Sequence, residues 1–299
     1  MDNEFILFDR LEKIRQVIGK YGEDSFYVSY SGGKDSVVLS HLIDLAIPGN
    51  KIPRVYANTG IEYSLMVDFV EKEKNKPHEW ELIMLKPKTP IKTMLESEGY
   101  PFKSKKHSEF VSIYQKYKTL EGRPGLQHYL HKSNDGVNWS CQHSCPKVLE
   151  FQFSEENTLK ISDKCCKRLK EEPLKEWQKE NNKPIAIIGL MREEGGRRIT
   201  ANCLAFKSGS IKAFQPLVPL SKEWEDWFIH KYNIELCPLY LPPYNFIRTG
   251  CKGCPFAVEI QDELDTLERL FPAERKQCEF IWGPVYSEYR RLGYRLRKE

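Results

Sequence analysis

The sequence lacks the marks of an exported or membrane protein. No stretch approaches the roughly 18 apolar residues of a membrane span, and the first residues are acidic where a secretory signal would be basic. We therefore expect a cytoplasmic protein with no membrane partner. In that compartment its nine cysteines are expected to be thiols, metal ligands or catalytic groups, because structural disulfides are kept reduced.

The sequence also lacks a large charge excess, an internal repeat and a long linker. Its 46 Lys and Arg residues exceed the 42 Asp and Glu residues by 4, too few for a protein that coats nucleic acid, but compatible with an anionic small substrate or a local basic groove. With 299 residues, 40% of them hydrophobic, the chain can bury a sizeable core without metal or disulfide support. We therefore expect any metal to serve chemistry.

Apolar segments of two kinds alternate along the chain. The patterns predict strands near 26–30, 54–57, 80–85, 184–189 and 211–215, and helices within 1–20 and near 36–45, 64–74 and 91–98. Strands separated by helices predict an α/β fold, a parallel sheet covered by helices on both faces.

The predicted domains are a nucleotide-binding α/β domain over 1–240 and a cysteine-rich helical C-terminal extension over 241–299. An insertion near 101–160 is polar and basic. The insertion is either a solvated surface excursion or a lid that faces an anion.

A glycine-rich loop follows the first predicted strand, where a parallel sheet delivers its chain ends to a ligand crevice. Two glycines allow a tight turn, while successive amides and the helix N-terminus direct positive potential at a phosphate. Lys34 adds a mobile charge, Ser36 can cap the helix and bind phosphate, and Asp35 is expected to orient the loop or help hold a cation. The loop consists of Ser31, Gly32, Gly33, Lys34, Asp35 and Ser36.

Two cysteine pairs form a candidate metal site. Cys165 and Cys166 are adjacent, whereas Cys251 and Cys254 are separated by two residues. Four thiolates suit zinc or an iron–sulfur cluster, and spacing alone leaves both open. Adjacent cysteines favour a cluster, because neighbouring side chains diverge and can reach different iron atoms.

The other cysteines carry weaker signals. Cys141 and Cys145 could be alternative ligands, a redox pair or ordinary thiols, and ordinary thiols come first. Cys203 and Cys237 are interpreted as structural.

Several motifs resemble those of a known family. The glycine loop resembles the Ser-Gly-Gly-x-Asp-Ser signature of the PP-loop adenine nucleotide α-hydrolase-like superfamily, which has a Rossmann-like fold. The segments 163–174, 189–198 and 58–62 resemble the Cys-Cys-x-x-Arg-Lys-x-x-Pro-Leu, arginine-rich and Asn-Thr-Gly-x-Glu segments of the APS/PAPS (sulfonucleotide) reductases. The resemblance covers roughly residues 26–256.

The resemblance implies a set of site residues. In the cluster-bearing branch, the four paired cysteines hold a 4Fe-4S cluster, with basic residues nearby that stabilise its charge and hold a nucleotide anion. Arginines after a later strand are expected to grip phosphate or sulfate. Besides the glycine loop, the implied nucleotide-binding residues are Asn58, Thr59, Gly60, Glu62, Lys164, Arg168, Arg192, Arg197 and Arg198.

The chain departs from the reductases at its C-terminal end. These enzymes carry a nucleophilic cysteine in a Glu-Cys-Gly-x-His tail, whereas the last cysteine here is Cys278, in a different context. Without a thiolate nucleophile, the reductase mechanism cannot run as it does in the family.

Three functions remain open. The preferred one is ATP pyrophosphatase-type, adenylating sulfur transfer, with ATP accompanied by Mg²⁺ and with a sulfur-donor protein. The alternative is reduction of APS or PAPS to sulfite, with Cys278 or the thiol of a partner reductant as nucleophile. The third is a non-catalytic nucleotide-binding or assembly protein, and nucleic acid is left open as a partner. The candidate catalytic residues are Lys34, Asp35, Arg192 and Cys278.

Overall fold

The structure, a computed structural model, describes residues 2–131, 144–195 and 198–298. It divides into two compact units, each assembled from two stretches of chain. The first unit comprises Met1–Pro87 and Lys170–Gly250, and the second comprises Lys88–Leu169 and Cys251–Glu299. These limits differ from the predicted boundary at 240/241, because the region after 88 packs with the C-terminal helices in a core of its own.

Ten α-helices are found in the described residues. In chain order they are α1 (Asn3–Tyr21), α2 (Lys34–Ala46), α3 (Ser64–Lys74), α4 (Ile91–Glu98), α5 (Lys105–Tyr117), α6 (Pro124–Tyr129), α7 (Glu172–Glu180), α8 (Lys222–Lys231), α9 (Ile260–Leu270) and α10 (Pro272–Leu292). A 3₁₀ segment spans Lys147–Phe153, and a π-helical turn at Lys167–Glu171 leads into α7. None of the described helices is both long and apolar enough to cross a lipid bilayer.

The first unit contains one six-stranded sheet. Its strands are β1 (Phe26–Ser29), β2 (Arg54–Ala57), β3 (Leu82–Leu85), β4 (Ile185–Ile188), β5 (Leu204–Lys207) and β6 (Ser210–Phe214). Their order is β3-β2-β1-β4-β6-β5, and every pair is parallel except β5 with β6. The predicted parallel α/β fold is therefore confirmed, with an antiparallel edge strand that the sequence patterns did not predict.

Helices pack on both faces of this sheet. On one face, Tyr27 of β1 meets Trp177 of α7 edge-on, with ring centroids 5.5 Å apart. The neighbouring Phe26 faces the other way, because side chains alternate along a strand, and its ring approaches Tyr21 of α1. Both Phe26 and Val28 are completely buried, so β1 lies in the centre of the unit and its C-terminal end is held rigidly.

The second unit has a helical core. Phe102 packs edge-on against Tyr289 of α10, with ring centroids 4.5 Å apart. His107 of α5 is fully buried, and its ring nitrogens lie 2.9 Å from the Tyr129 hydroxyl and 2.6 Å from Gln152 Oε1. The described parts of the polar segment 101–160 are therefore largely helical and contribute to a core.

Candidate functional site

The glycine loop joins the end of β1 to the start of α2. Three hydrogen bonds close it around the Ser36 hydroxyl, which receives one from Ser31 N at 3.2 Å and one from Ser31 Oγ at 3.1 Å. The same hydroxyl donates to Gly33 O at 2.8 Å. Gly33 is the N-cap of α2 and has no side chain to block the helix end. The loop thus presents a helix N-terminus, the kind of site that binds phosphate groups.

Gly32 accounts for the closeness of α3 to this loop. Its φ is +71°, a left-handed conformation that side chains other than glycine rarely adopt. A Cβ here would lie 2.5 Å from Met66 Sδ and 2.9 Å from Val70 Cγ2. Only glycine therefore fits between the loop and α3.

A partly buried charge network holds Asp35. Lys222 Nζ at the start of α8 donates to Asp35 Oδ1 at 2.8 Å and to Glu225 Oε2 at 3.2 Å. Glu225 is 1% exposed, and burial, together with the charge of Asp35, raises its pKa to about 7. This geometry suits an orienting role for Asp35, and nothing in the local sequence around Lys222 or Glu225 indicated them. Lys34 Nζ lies 3.2 Å from Asp226 Oδ1.

The turn after β2 is closed by its own side chains. Thr59 donates to Glu62 through its backbone nitrogen at 2.9 Å and through its hydroxyl at 2.8 Å. Gly60 N donates to Asn58 Oδ1 at 2.9 Å. Glu62 in turn lies 3.7 Å from Lys170 Nζ. The motif residues therefore form a compact turn with a cation beside it.

A cavity of about 120 Å³ lies at the C-terminal ends of β1 and β2. This is the edge of a parallel sheet at which ligands bind in open α/β folds. Its lining residues are Ser29, Tyr30, Ser31, Val55, Tyr56, Ala57, Glu62, Met66, Lys170, Leu174, Thr249 and Gly250. The glycine loop and the turn after β2 therefore meet at one cavity.

Sequence reasoning missed three residues at this cavity and loop. Lys170 supplies the only cation of the described lining. Tyr240 makes a hydrogen bond with the Lys34 backbone, and its hydroxyl lies 2.5 Å from Thr249 Oγ1. Lys170 stands at the Lys of the Cys-Cys-x-x-Arg-Lys-x-x-Pro-Leu segment, which could have identified it. Tyr240 and Thr249 are more than 200 residues from the glycine loop in the sequence, and no local motif joins them to it.

The predicted basic residues have varied positions. Arg192 is exposed, and its Nε donates to Ala201 O at 2.9 Å. Arg198 is half-buried, and Arg197 lies outside the described residues. Lys164 and Arg168 belong to the second unit. They form ion pairs of 3.0 and 2.6 Å with the same carboxylate, that of Glu98.

The four paired cysteines all belong to the second unit. Cys165 Sγ and Cys166 Sγ are 4.0 Å apart at the start of the helical stretch that contains the π turn. The pKa of Cys165 is raised by its contact with Cys166, by burial and by the charges of Cys254 and Cys251. Burial and then Cys251 raise the pKa of Cys254 to about 12. The four sulfurs therefore lie within electrostatic reach of one another.

The loop that carries the second pair is anchored by the last two helices. Gly253 has φ +61°, its nitrogen donates to Glu263 Oε1 at 2.9 Å, and its carbonyl accepts from the Tyr286 hydroxyl. Trp282 Nε1 donates to Lys252 O at 3.1 Å. A Cβ on Gly253 would lie 2.8 Å from Cys278 Sγ. Cys278 is thus completely buried against this loop, and burial raises its pKa to about 12.

The chemistry of these donors fits an iron–sulfur cluster, since four cysteine thiols are the usual ligand set of such a cluster. Within the ranges described, no three His, Cys, Asp or Glu side chains form a group close enough to hold a metal ion. The assignment of these four cysteines as ligands therefore rests on their thiol chemistry and on the motifs that contain them.

The remaining described cysteines are poor nucleophiles. Cys145, Cys237 and Cys278 are buried and Cys203 is half-buried. Burial is the first cause of a raised pKa in all four. Cys141 lies outside the described residues.

A comparison with solved structures found several of low similarity to this chain. PAPS reductase from Candida auris, in a phosphate complex, has 13% identity and a TM-score of 0.47, over 81% of this chain and 87% of that one. FMN adenylyltransferase from Candida glabrata has 12% identity and a TM-score of 0.47 over 83% of this chain, which spans 61% of the enzyme.

U34-tRNA thiolase from Methanococcus maripaludis, solved with its 4Fe-4S cluster, has 16% identity and a TM-score of 0.38, over 98% of this chain and 81% of that one. At these values the likenesses imply nothing about ligand or activity. No curated protein sequence matches the chain.

The family comparison is more specific. The phosphoadenosine phosphosulfate reductase domain model matches residues 25–132 and 104–257, which together cover more than half of the chain. The matched region contains the glycine loop, the turn after β2 and all four paired cysteines. The chain therefore belongs to the phosphoadenosine phosphosulfate reductase domain family.

Proposed function

We propose that the chain is an adenine-nucleotide enzyme of sulfur chemistry that activates an acceptor with ATP and then transfers sulfur to it. The observation that carries this proposal is the state of the thiols. Outside the paired cysteines, every described cysteine is buried or half-buried with a raised pKa. Burial raises the pKa of Cys145 and Cys278 to about 12 and also raises the pKa of Cys203 and Cys237, which argues against any of these four thiols as the nucleophile of a reductase.

The glycine loop supplies the binding chemistry for ATP. The amides at the start of α2 and the Lys34 side chain would bind the phosphates, while Lys222 fixes Asp35 beside them. Mg²⁺ would accompany the triphosphate. Asn58, Thr59, Gly60, Glu62 and Lys170 would border the nucleotide at the cavity, and Arg192 and Arg198 would contact its anionic groups.

The reaction balances in two steps. An acceptor oxygen attacks the α-phosphorus, the bond from that phosphorus to the bridging oxygen of the β-phosphate breaks, and pyrophosphate leaves. Sulfide then attacks the activated carbon of the acceptor, the carbon–oxygen bond breaks, and AMP leaves. Neither step consumes an external reductant when the donor is sulfide.

Cys165, Cys166, Cys251 and Cys254 would hold a 4Fe-4S cluster, which would supply a site for sulfur binding or electron transfer. Lys164 and Arg168 place positive charge next to Cys165 and Cys166 in the sequence, which would stabilise an anionic cluster. A cytoplasmic location agrees with this assignment, because reduced thiols persist there.

Anaerobic calorimetry with ATP, APS and PAPS tests the proposal. Selective binding of ATP is expected, and Lys34→Ala should weaken it about tenfold or more through loss of a charge-assisted contact. Lys74→Ala, which removes an exposed lysine from the same unit, is the matched control. Selective binding of APS or PAPS followed by sulfite release would overturn the adenylating assignment in favour of the reductase that the family match also suggests.

A further inference from the structure

A basic groove of about 450 Å³ lies in the second unit, between the end of α4, the end of α5 and the segment that precedes Cys165. Its lining contains four lysines and one glutamate, which leaves three positive charges in excess. The charged lining residues are Lys116, Lys118, Lys160, Lys164 and Glu98. Such an excess in a concave surface attracts an anionic ligand.

The groove is held by hydrogen bonds that do not depend on the lysines at α5. Gln115 Nε2 donates to Leu159 O at 2.7 Å, and Gln115 Oε1 accepts from Ile161 N at 3.1 Å. These bonds join α5 to the segment before Cys165. Lys116 and Lys160 are exposed, and Lys160 Nζ also donates to Ser97 O, which joins this segment to the end of α4. The groove is therefore preformed.

An exposed aromatic ring lies between two of these lysines in the sequence. Tyr117 is 50% exposed. The Arg123 guanidinium lies 4.0 Å from its ring centroid and Lys116 Nζ lies 4.9 Å from it. An aromatic face flanked by cations is typical of proteins that stack an unpaired base while they bind the backbone phosphates.

The lining of the groove includes the residue that precedes the paired cysteines of the same unit. Lys164 lines the groove and is joined directly to Cys165 by a peptide bond. A polymer bound along the lysines would therefore place a neighbouring nucleotide beside Cys165 and Cys166.

We propose that this groove binds a single-stranded segment of nucleic acid, with phosphates on the lysines and a base on Tyr117. Bases in a duplex are already stacked, so an exposed aromatic ring favours unpaired ones. This proposal rests on the proposed function, and it identifies single-stranded nucleic acid as the acceptor class for sulfur transfer.

Fluorescence anisotropy with short unstructured RNA and DNA probes of the same sequence tests the proposal on the full chain without ATP. Lys116→Ala combined with Lys160→Ala is expected to weaken binding about tenfold or more. It should also make the slope of log K against log salt shallower by about 1.4, since each single-strand phosphate contact contributes about 0.7. Tyr117→Ala is expected to weaken binding about tenfold, and Tyr117→Phe is expected to retain it.

Lys276→Ala, an exposed lysine on α10 of the same unit, is the control for general charge. The proposal is overturned if the double variant binds like Lys276→Ala, if Tyr117→Ala binds like wild type, or if polyphosphate competes as well as either probe. The probe that binds more tightly shows whether the groove prefers RNA or DNA. The anisotropy measurement contains no ATP, and the calorimetric measurement contains no nucleic acid. Failure of this proposal is therefore distinguishable from failure of the proposed ATP binding.

Discussion

At the scale of single residues, a comparison of two glycines distinguishes the cost of backbone strain from the cost of steric crowding. Gly32 and Gly49 have φ of +71° and +75°, but a Cβ would clash with Met66 and Val70 at Gly32 and would meet nothing within 4 Å at Gly49. Gly49→Ala should therefore cost about 1 kcal/mol in free energy of unfolding. Gly32→Ala should cost a further 1–3 kcal/mol, roughly, from overpacking. Urea unfolding of both variants checks this, and equal losses would contradict the crowding.

Glu225 should make the stability of the protein sensitive to alkaline pH. Its pKa in the folded protein is about 7, above the ordinary 4.5. The resulting stabilisation is present below about pH 4.5 and is lost as the pH rises through about 7. Between about pH 5 and 8, wild type should lose more free energy of unfolding than Glu225→Gln, which cannot ionise. Glu223→Gln, an exposed neighbour on α8, should follow wild type, and identical slopes for all three proteins would refute the assignment.

At the scale of elements, sequence patterns predicted the parallel strands well. The β-branched and aromatic runs of β1, β2 and β4 are short, apolar and completely or nearly completely buried. The antiparallel strand β5 was missed because its apolar run is short and none of its four residues is buried, two of them being exposed. Helices α5 and α6 were missed because lysines and polar residues dominate a segment whose core is formed by His107 and Tyr129.

The candidate site was predictable only where its residues are contiguous. The glycine loop and the turn after β2 each form a local motif. Lys222, which holds Asp35, and Thr249, which lines the cavity, reach this region through tertiary folding, which a local pattern does not encode.

Helix α5 should make the second unit sensitive to acid. Burial lowers the pKa of His107 to about 4 from its ordinary 6.5. A lowered histidine pKa gives stability above pH 6.5 that is lost as the pH falls through about 4. His107→Gln should therefore flatten the dependence of unfolding free energy on pH in this window, whatever its overall cost in stability. His230→Gln, which replaces an exposed histidine, is the control and should retain the wild-type slope. A wild-type slope in His107→Gln as well would show that His107 is not buried in its neutral form.

At the scale of the whole molecule, the proposed ligands come from two distant stretches of chain. Cys165→Ser and Cys254→Ser should each abolish most of the bound iron in anaerobically purified protein, because each removes a thiolate from a set of four. Cys237→Ser, a buried cysteine of the first unit, should keep it. Iron analysis and visible absorption check this, and unchanged iron in both ligand variants would rule out the ligand set.

The interleaving of the two units has a consequence for biosynthesis. The first unit is complete only when residue 250 has been made, and the second only when the last helix has followed. Domains generally fold as units during synthesis, N-terminal ones first. Here β1 to β3 would emerge from the ribosome long before β4, which completes the centre of their sheet. The nascent chain therefore exposes an unfinished sheet edge, and nearly full-length translation must precede assembly of the four-cysteine site.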